Sequence, residues 1–208
     1  MSVTVWWASP KHASPWHDEL LTPGERERAD AYRRREDRDR FVAANALLRL
    51  AVEQWLGHRP EIDRACIDCG KPHGKPRVVG AGLHASVSHS GDLIAVALSE
   101  QGELGVDVEM VSDKDLKLLL RYVFSAKELE VLPDPLAVFY RAWTRKESLL
   151  KATGAGLRTP MSSLTVLPES EYNMHDLDPG PGYAAALTVL SSDPVSVTEL
   201  DGAALLKA

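Results

Sequence analysis

The chain has 208 residues, 44% of them hydrophobic and 26% charged, with a formal net charge of −6. That length builds one large domain or two small ones sharing a core. No apolar run reaches about 18 residues, so no transmembrane helix is expected, and an acidic chain offers no global basic field for nucleic acid.

The opening MSVTVWWASP lacks the basic and apolar regions of a signal peptide and reads as a strand over 3–8. A cytoplasmic location follows by default. Thr22-Pro23-Gly24-Glu25 predicts a helix start, with Thr as N-cap, Pro first and Glu third. An arginine-rich stretch follows: Arg26, Arg28, Arg33, Arg34, Arg35, Arg38 and Arg40, with acids among them. Most read as solvated ion pairs on a helix, with two or three left to face a polyanion. A stronger helix is predicted over 37–56, where Phe41, Ala44, Leu48, Val52 and Trp55 recur at core-facing spacing and Gly57 and Pro60 stop it.

Residues 66–82, rich in Gly, Pro, Lys and His, read as a loop. They hold the only cysteines, Cys66 and Cys69. Their spacing invites a zinc or redox reading, with His73 as a third ligand. A structural zinc site needs four ligands and no fourth is near, so we expect incidental thiols and no tightly bound zinc. Alternating segments then predict strands at 84–89, 93–98 and 104–109, with Ser90-Gly91-Asp92 turning between the first two. Helices are expected over 114–124, 125–132 and about 136–153, then strands at 164–168, 183–190 and 195–200. The two halves follow loosely the same plan, an α+β fold of two similar subdomains.

Two segments carry the chemistry. In Gly105-Val106-Asp107-Val108-Glu109, the carboxylates of Asp107 and Glu109 share one side of a strand. Paired carboxylates repel unless a cation sits between them, and magnesium takes such oxygen ligands. An exposed strand face with two solvated acids is the plainer alternative. In Trp143-Thr-Arg-Lys146-Glu147-Ser-Leu-Leu-Lys151, positions 143, 147 and 151 lie close to one helix face. Glu147 then completes a three-carboxylate set, or else forms a surface pair with Lys151. His73-Gly74-Lys75-Pro76 and Ser86-Val87-Ser88-His89-Ser90 add a lysine, a histidine and hydroxyls suited to a pyrophosphate.

The order H-G-K-P, S-V-S-H-S, G-V-D-V-E, W-x-x-K-E-x-x-x-K resembles the phosphopantetheinyl transferase superfamily, in its larger pseudo-dimeric, surfactin-synthetase-activating type. The resemblance runs from about Leu21 to Tyr183. It implies the 4′-phosphopantetheinyl transferase fold, with two subdomains, 1–104 and 105–208, related by a pseudo-two-fold axis and an active site in the cleft between them. It implies transfer of 4′-phosphopantetheine from coenzyme A to a serine of an apo acyl or peptidyl carrier protein, by a monomer that uses Mg²⁺, with Mn²⁺ as a possible substitute.

By the same resemblance, Asp107, Glu109 and Glu147 hold the metal. Lys151 and His89 touch the pyrophosphate and, with Glu147, do the catalytic work. Lys75 and Ser88 match the family's 3′-phosphate contacts, and Arg40 and Arg28 are the best matches for the basic residue that helps hold coenzyme A. Glu147 is the candidate base, directly or through a bound water. Glu25 stands where some relatives have lysine, and Phe41 where some have a hydroxyl residue. A different phosphoryl-transfer enzyme is one rival, although no G-x-x-x-x-G-K-[ST] loop is present. A non-catalytic carrier-protein or nucleotide-binding module is the other.

Overall fold

The computed structural model describes residues 2–207, apart from the side chain of residue 157. Its elements in chain order are β1 (Ser2–Ala8), α1 (Pro23–Asp30), α2 (Arg35–Leu56), β2 (Ile62–Ala65), β3 (Pro72–Val78), β4 (His84–Ser90), β5 (Leu93–Ser99), β6 (Leu104–Met110), α3 (Leu120–Val123), α4 (Ala126–Val131), α5 (Phe139–Thr153), β7 (Asn173–Leu177), β8 (Tyr183–Val189), β9 (Ser196–Asp201) and α6 (Ala203–Lys207). Short 3-10 turns link several of them. The mixed α+β class expected from the sequence is what the chain adopts.

Two sheets form the frame. The first has strand order β2-β3-β4-β5-β1-β9 and the second β6-β8-β7. All pairings are antiparallel except β1 with β9. Alternation along β4 and β5 gives the first sheet two apolar faces. Ala85, Ile94, Val96 and Leu98 pack under α2, against Ala44, Leu47, Leu48, Ala51 and Val52. Val3, Val5, Ala95 and Ala97 pack instead against Val106, Val108, Ala185 and Leu187 of the second sheet. Because β9 pairs with β1, sheet membership does not follow the 1–104 and 105–208 division drawn from the sequence.

The N-terminus of α1 forms as its residues dictate. Thr22 Oγ1 accepts from Glu25 N, and Glu25 Oε2 accepts from Thr22 N at 2.8 Å. Two sequence readings need correction. Residues 66–82 are not all loop, since 72–78 form β3. Gly and Pro mark that segment as a breaker, but β2 supplies a partner across the turn. Residues 164–168 are not a strand. Their backbone is bound by side chains instead: Glu128 Oε1 accepts from the amides of Val166 and Leu167, Lys146 donates to Leu164 O, and Arg145 donates to Val166 O. The third strand beside β8 is β7, which the sequence reading passed over.

A row of serines joins the sheets. Ser86, Ser88 and Ser90 of β4 all point at β6, as a period of two requires. Their Oγ atoms accept from the amides of Val106, Val108 and Met110 at 3.0, 3.3 and 3.0 Å. Hydroxyls thus replace a backbone ladder along that seam. No helix among the described residues is long and apolar enough to cross a membrane.

Candidate active-site cleft

The seam ends in a cleft of about 400 Å³. α1 and α2 contribute Arg28, Phe41 and Asn45, β2 contributes Arg64, β4 contributes Val87, Ser88 and His89, β6 contributes Asp107 and Glu109, and α5 contributes Trp143, Glu147 and Lys151. Glycine 105 explains how α5 reaches β6. A Cβ there would lie 2.0 Å from Ser148 O and 2.5 Å from Ala152 N, so only glycine lets the helix lie flat on the strand. That contact sets Glu147 and Lys151 beside Asp107 and Glu109. A second hollow of about 250 Å³, beside Glu19, Arg49 and Arg59, holds none of these groups.

Asp107 is buried, and its two oxygens have different fates. Oδ1 accepts from Ser88 Oγ at 2.9 Å and from Lys151 Nζ at 2.7 Å. Oδ2 is buried with no hydrogen-bond partner. A buried carboxylate oxygen left bare costs free energy, and a cation placed against it would remove that cost. Glu109 takes a hydrogen bond from Ser90 Oγ at 2.9 Å. Burial, and then the charge of Asp107, push the Glu109 carboxyl above its usual range. The same two causes raise Glu147, with Glu109 adding to them and Lys151 opposing. Glu109 and Glu147, both raised, stand beside Asp107, and three carboxylates so placed form the kind of all-oxygen donor set that a hard divalent ion takes. Their oxygens are more widely spaced than a closed ligand cluster. Among the described residues, only Cys66, Cys69 and His73 bring three ligand atoms all within 4.8 Å of one another.

Lys151 also donates to Ser88 Oγ at 2.8 Å and to Val106 O at 3.2 Å, which leaves it part-exposed at the cleft wall. His89 stands at the mouth. Its side chain is exposed, yet partial desolvation, and then the cations Arg40, Lys151 and Arg28, hold its pKa below the ordinary histidine value. The residues that α1 and β2 bring to the cleft are cationic. Arg28 lies 5.0 Å over the Phe41 ring, so the phenyl group standing in place of a hydroxyl supports a guanidinium. Arg64 donates to Gly74 O at 3.3 Å and to Asn45 Oδ1 at 3.4 Å. The sequence reading missed it, because a lone arginine on a four-residue strand carries no signal of its own.

The expected contacts thus separate. His89, Ser88, Arg28, Lys151 and the three carboxylates line the cleft. Lys75 and Arg40 do not. Lys75 donates to Ala152 O at 2.7 Å, capping the end of α5, and pairs with Glu103. Arg40 donates to Gly91 O and to Asp37. The Ser88 hydroxyl is committed to Asp107, Lys151 and β6. Arg49 is bound by Glu25 at 2.7 Å, which gives that departure from a lysine a structural reason.

Comparison with known proteins places the chain among relatives of one family. A family model described as the 4′-phosphopantetheinyl transferase superfamily matches residues 103–193. A Synechocystis protein named "Putative 4'-phosphopantetheinyl transferase slr0495" is 31% identical over 178 residues, covering 81% of this chain and 70% of that protein. The 4′-phosphopantetheinyl transferase AcpT of Escherichia coli K12 is 39% identical over 140 residues, 64% of this chain and 66% of that protein. The 4′-phosphopantetheinyl transferase Sfp of Bacillus subtilis is 26% identical over 153 residues, 71% of this chain and 66% of that protein. The chain therefore spans about two thirds of the length of these relatives.

Proposed function

The chain belongs to the 4′-phosphopantetheinyl transferase superfamily, a superfamily of transferases, and on that premise we propose that it transfers 4′-phosphopantetheine from coenzyme A to a serine of an apo acyl or peptidyl carrier protein. The observation that carries this reading is the bare, buried Asp107 Oδ2 in a cleft that Arg28 and Arg64 also line. Such a cleft suits a ligand with a metal-bound pyrophosphate at one end and a further phosphate at the other.

In this reading Asp107, Glu109 and Glu147 hold Mg²⁺, for which Mn²⁺ substitutes. When bound, the ion neutralises charge on the pyrophosphate. The chain's own groups do the rest. Arg28 and Arg64 orient the nucleotide end, Lys151 adds positive charge beside the pyrophosphate, and His89, held neutral by its surroundings, offers a ring N–H to it. Glu147, directly or through a bound water, accepts the proton of the carrier serine. The serine oxygen bonds to the phosphorus that bears pantetheine, the bond from that phosphorus to the bridging oxygen breaks, and 3′,5′-ADP leaves with the electron pair. Every group lining the cleft comes from one chain, so in this reading a monomer suffices. Two free thiols fit a reducing, cytoplasmic setting.

Mass spectrometry of an apo carrier protein incubated with coenzyme A, Mg²⁺ and this chain tests the reading. One added phosphopantetheine per carrier is expected. An unmodified carrier, with coenzyme A still bound by the protein, would favour a non-catalytic binding module.

A further inference from the structure

Cys66, Cys69 and His73 lie outside the cleft, and the transfer chemistry makes no use of them. The connection from β2 to β3 is nevertheless tightly organised. Cys66 N donates to Lys71 O and Gly70 N donates to Cys66 O, both at 2.8 Å. Gly70 takes a φ of +69°, a conformation glycine adopts without strain. The backbone amides of Asp68 and Cys69 beside Cys66 hold its thiol below the usual range and so favour the anion. His73 N donates to Lys71 O at 2.8 Å, and its Nε2 stands 3.0 Å from Cys69 Sγ. The next residue makes this return possible. A Cβ on Gly74 would lie 2.7 Å from Ala65 O and 3.0 Å from Cys66 Cα.

Two thiols and an imidazole thus converge, with all three ligand atoms within 4.8 Å of one another. Zinc–sulfur bonds near 2.3 Å and zinc–nitrogen bonds near 2.0 Å in a tetrahedron place ligand atoms about 3.5 Å apart. The cluster is therefore close to coordination geometry before any ion arrives. We propose that Cys66, Cys69 and His73 form a site for a thiolate-binding divalent cation of the zinc class, with solvent water in the fourth position. This departs from the expectation of incidental thiols, which rested on the missing fourth ligand. Three protein ligands plus water is a known zinc arrangement. Sulfur ligands also separate this site chemically from the all-oxygen set in the cleft, since magnesium avoids thiolate.

The site has a mechanical consequence. Asp68, between the cysteines, pairs with Arg158 just beyond α5 at 2.9 Å, and Lys75 caps the end of α5. A cation here ties down the segment that clasps the helix carrying Glu147 and Lys151.

The test is a Co²⁺ titration of reduced, metal-free protein in excess Mg²⁺, which occupies the oxygen ligands. One equivalent of Co²⁺ is expected, with tetrahedral visible bands and a sulfur-to-cobalt charge-transfer band, displaced by one equivalent of Zn²⁺. Cys69→Ser should abolish the charge-transfer band or weaken binding at least 100-fold, and His73→Ala should weaken it at least 10-fold. Asp107→Ala should leave the titration unchanged. Thermal melts of the metal-free variants establish that each is folded. No charge-transfer band, a band that survives Cys69→Ser, or a band lost only in Asp107→Ala overturns the proposal. So does a Cys66–Cys69 disulfide in the purified protein that takes up no cobalt after reduction.

Discussion

Helix α5 carries two lysines five residues apart, each paired with a carboxylate, and the two pairs are built for different ends. Lys146 and Glu128 are both fully enclosed. Lys146 Nζ donates to Glu128, Val123 O and Leu164 O. Glu128 accepts in turn from the amides of Ser125, Val166 and Leu167. Every donor has an acceptor and no oxygen is bare. Lys151 and Asp107 look alike at first, with three acceptors around the ammonium, but Asp107 Oδ2 has nothing and Lys151 faces the cleft. A closed polar network holds a fold in one arrangement. A network with one open valence is incomplete by itself, and under the proposed function the bound ion completes it.

The largest expected effect separates the two pairs by stability. Glu128→Ala leaves an enclosed ammonium and three amides without their acceptor, and should cost about 3–5 kcal/mol, roughly 10 °C in Tm for a chain of this size. A melt within a few degrees of wild type would erase the distinction. Asp107→Ala should do the reverse. Its stability cost should stay within about 1 kcal/mol, because the lost bond to Lys151 is offset by relief of repulsion with Glu109 and Glu147. Transfer should fall about 10²-fold or more, read as the rate of carrier modification across a Mg²⁺ titration. An unchanged rate and Mg²⁺ dependence would remove the metal assignment.

Lys151→Met comes next. It should cut transfer by about 10-fold or more, through weaker use of coenzyme A, while the metal-binding midpoint moves little. A shift confined to the metal midpoint would make Lys151 a support for Asp107 and nothing more.

The smallest effect is on pH dependence. Glu109 and Glu147 hold protons in the fold above the unfolded value, about 4.3. The stability they contribute is present below that value and is lost as pH rises through the raised folded one. Metal-free protein should therefore lose stability over that window. Glu147→Gln should flatten the slope, and Mg²⁺ should stabilise the wild type more at pH 7 than at pH 5. Equal pH profiles of Tm for wild type and Glu147→Gln would contradict this.

Much of this was legible in the sequence, because local rules act there. The Thr22–Glu25 cap, the apolar stripe of α2 and the shared face of Asp107 and Glu109 all follow from periods of 3.6 and 2. Glu147 and Lys151 are readable as a helix face. The roles of Lys146, Arg64 and Lys75 were not, since each is decided by a partner distant in the chain. Lys146 needs Glu128 and Leu164, and Lys75 finds the end of α5. Residues 164–168 were misread for the same reason: an apolar run looks like a strand, and only the buried side chains of α4 and α5 reveal that its backbone is bound by other means. The serine row reads as phosphate-binding hydroxyls, and nothing local says that its first task is to hold β6.

That row has a further effect. β6 is the outer strand of its sheet, and an outer strand ordinarily displays a line of free donors on which another chain can polymerise. Here Ser86, Ser88 and Ser90 cap alternate amides of that line. The joint between the sheets is also a guard against aggregation, and a chain whose β4 came loose would lose its cleft and uncover a sticky edge in the same event.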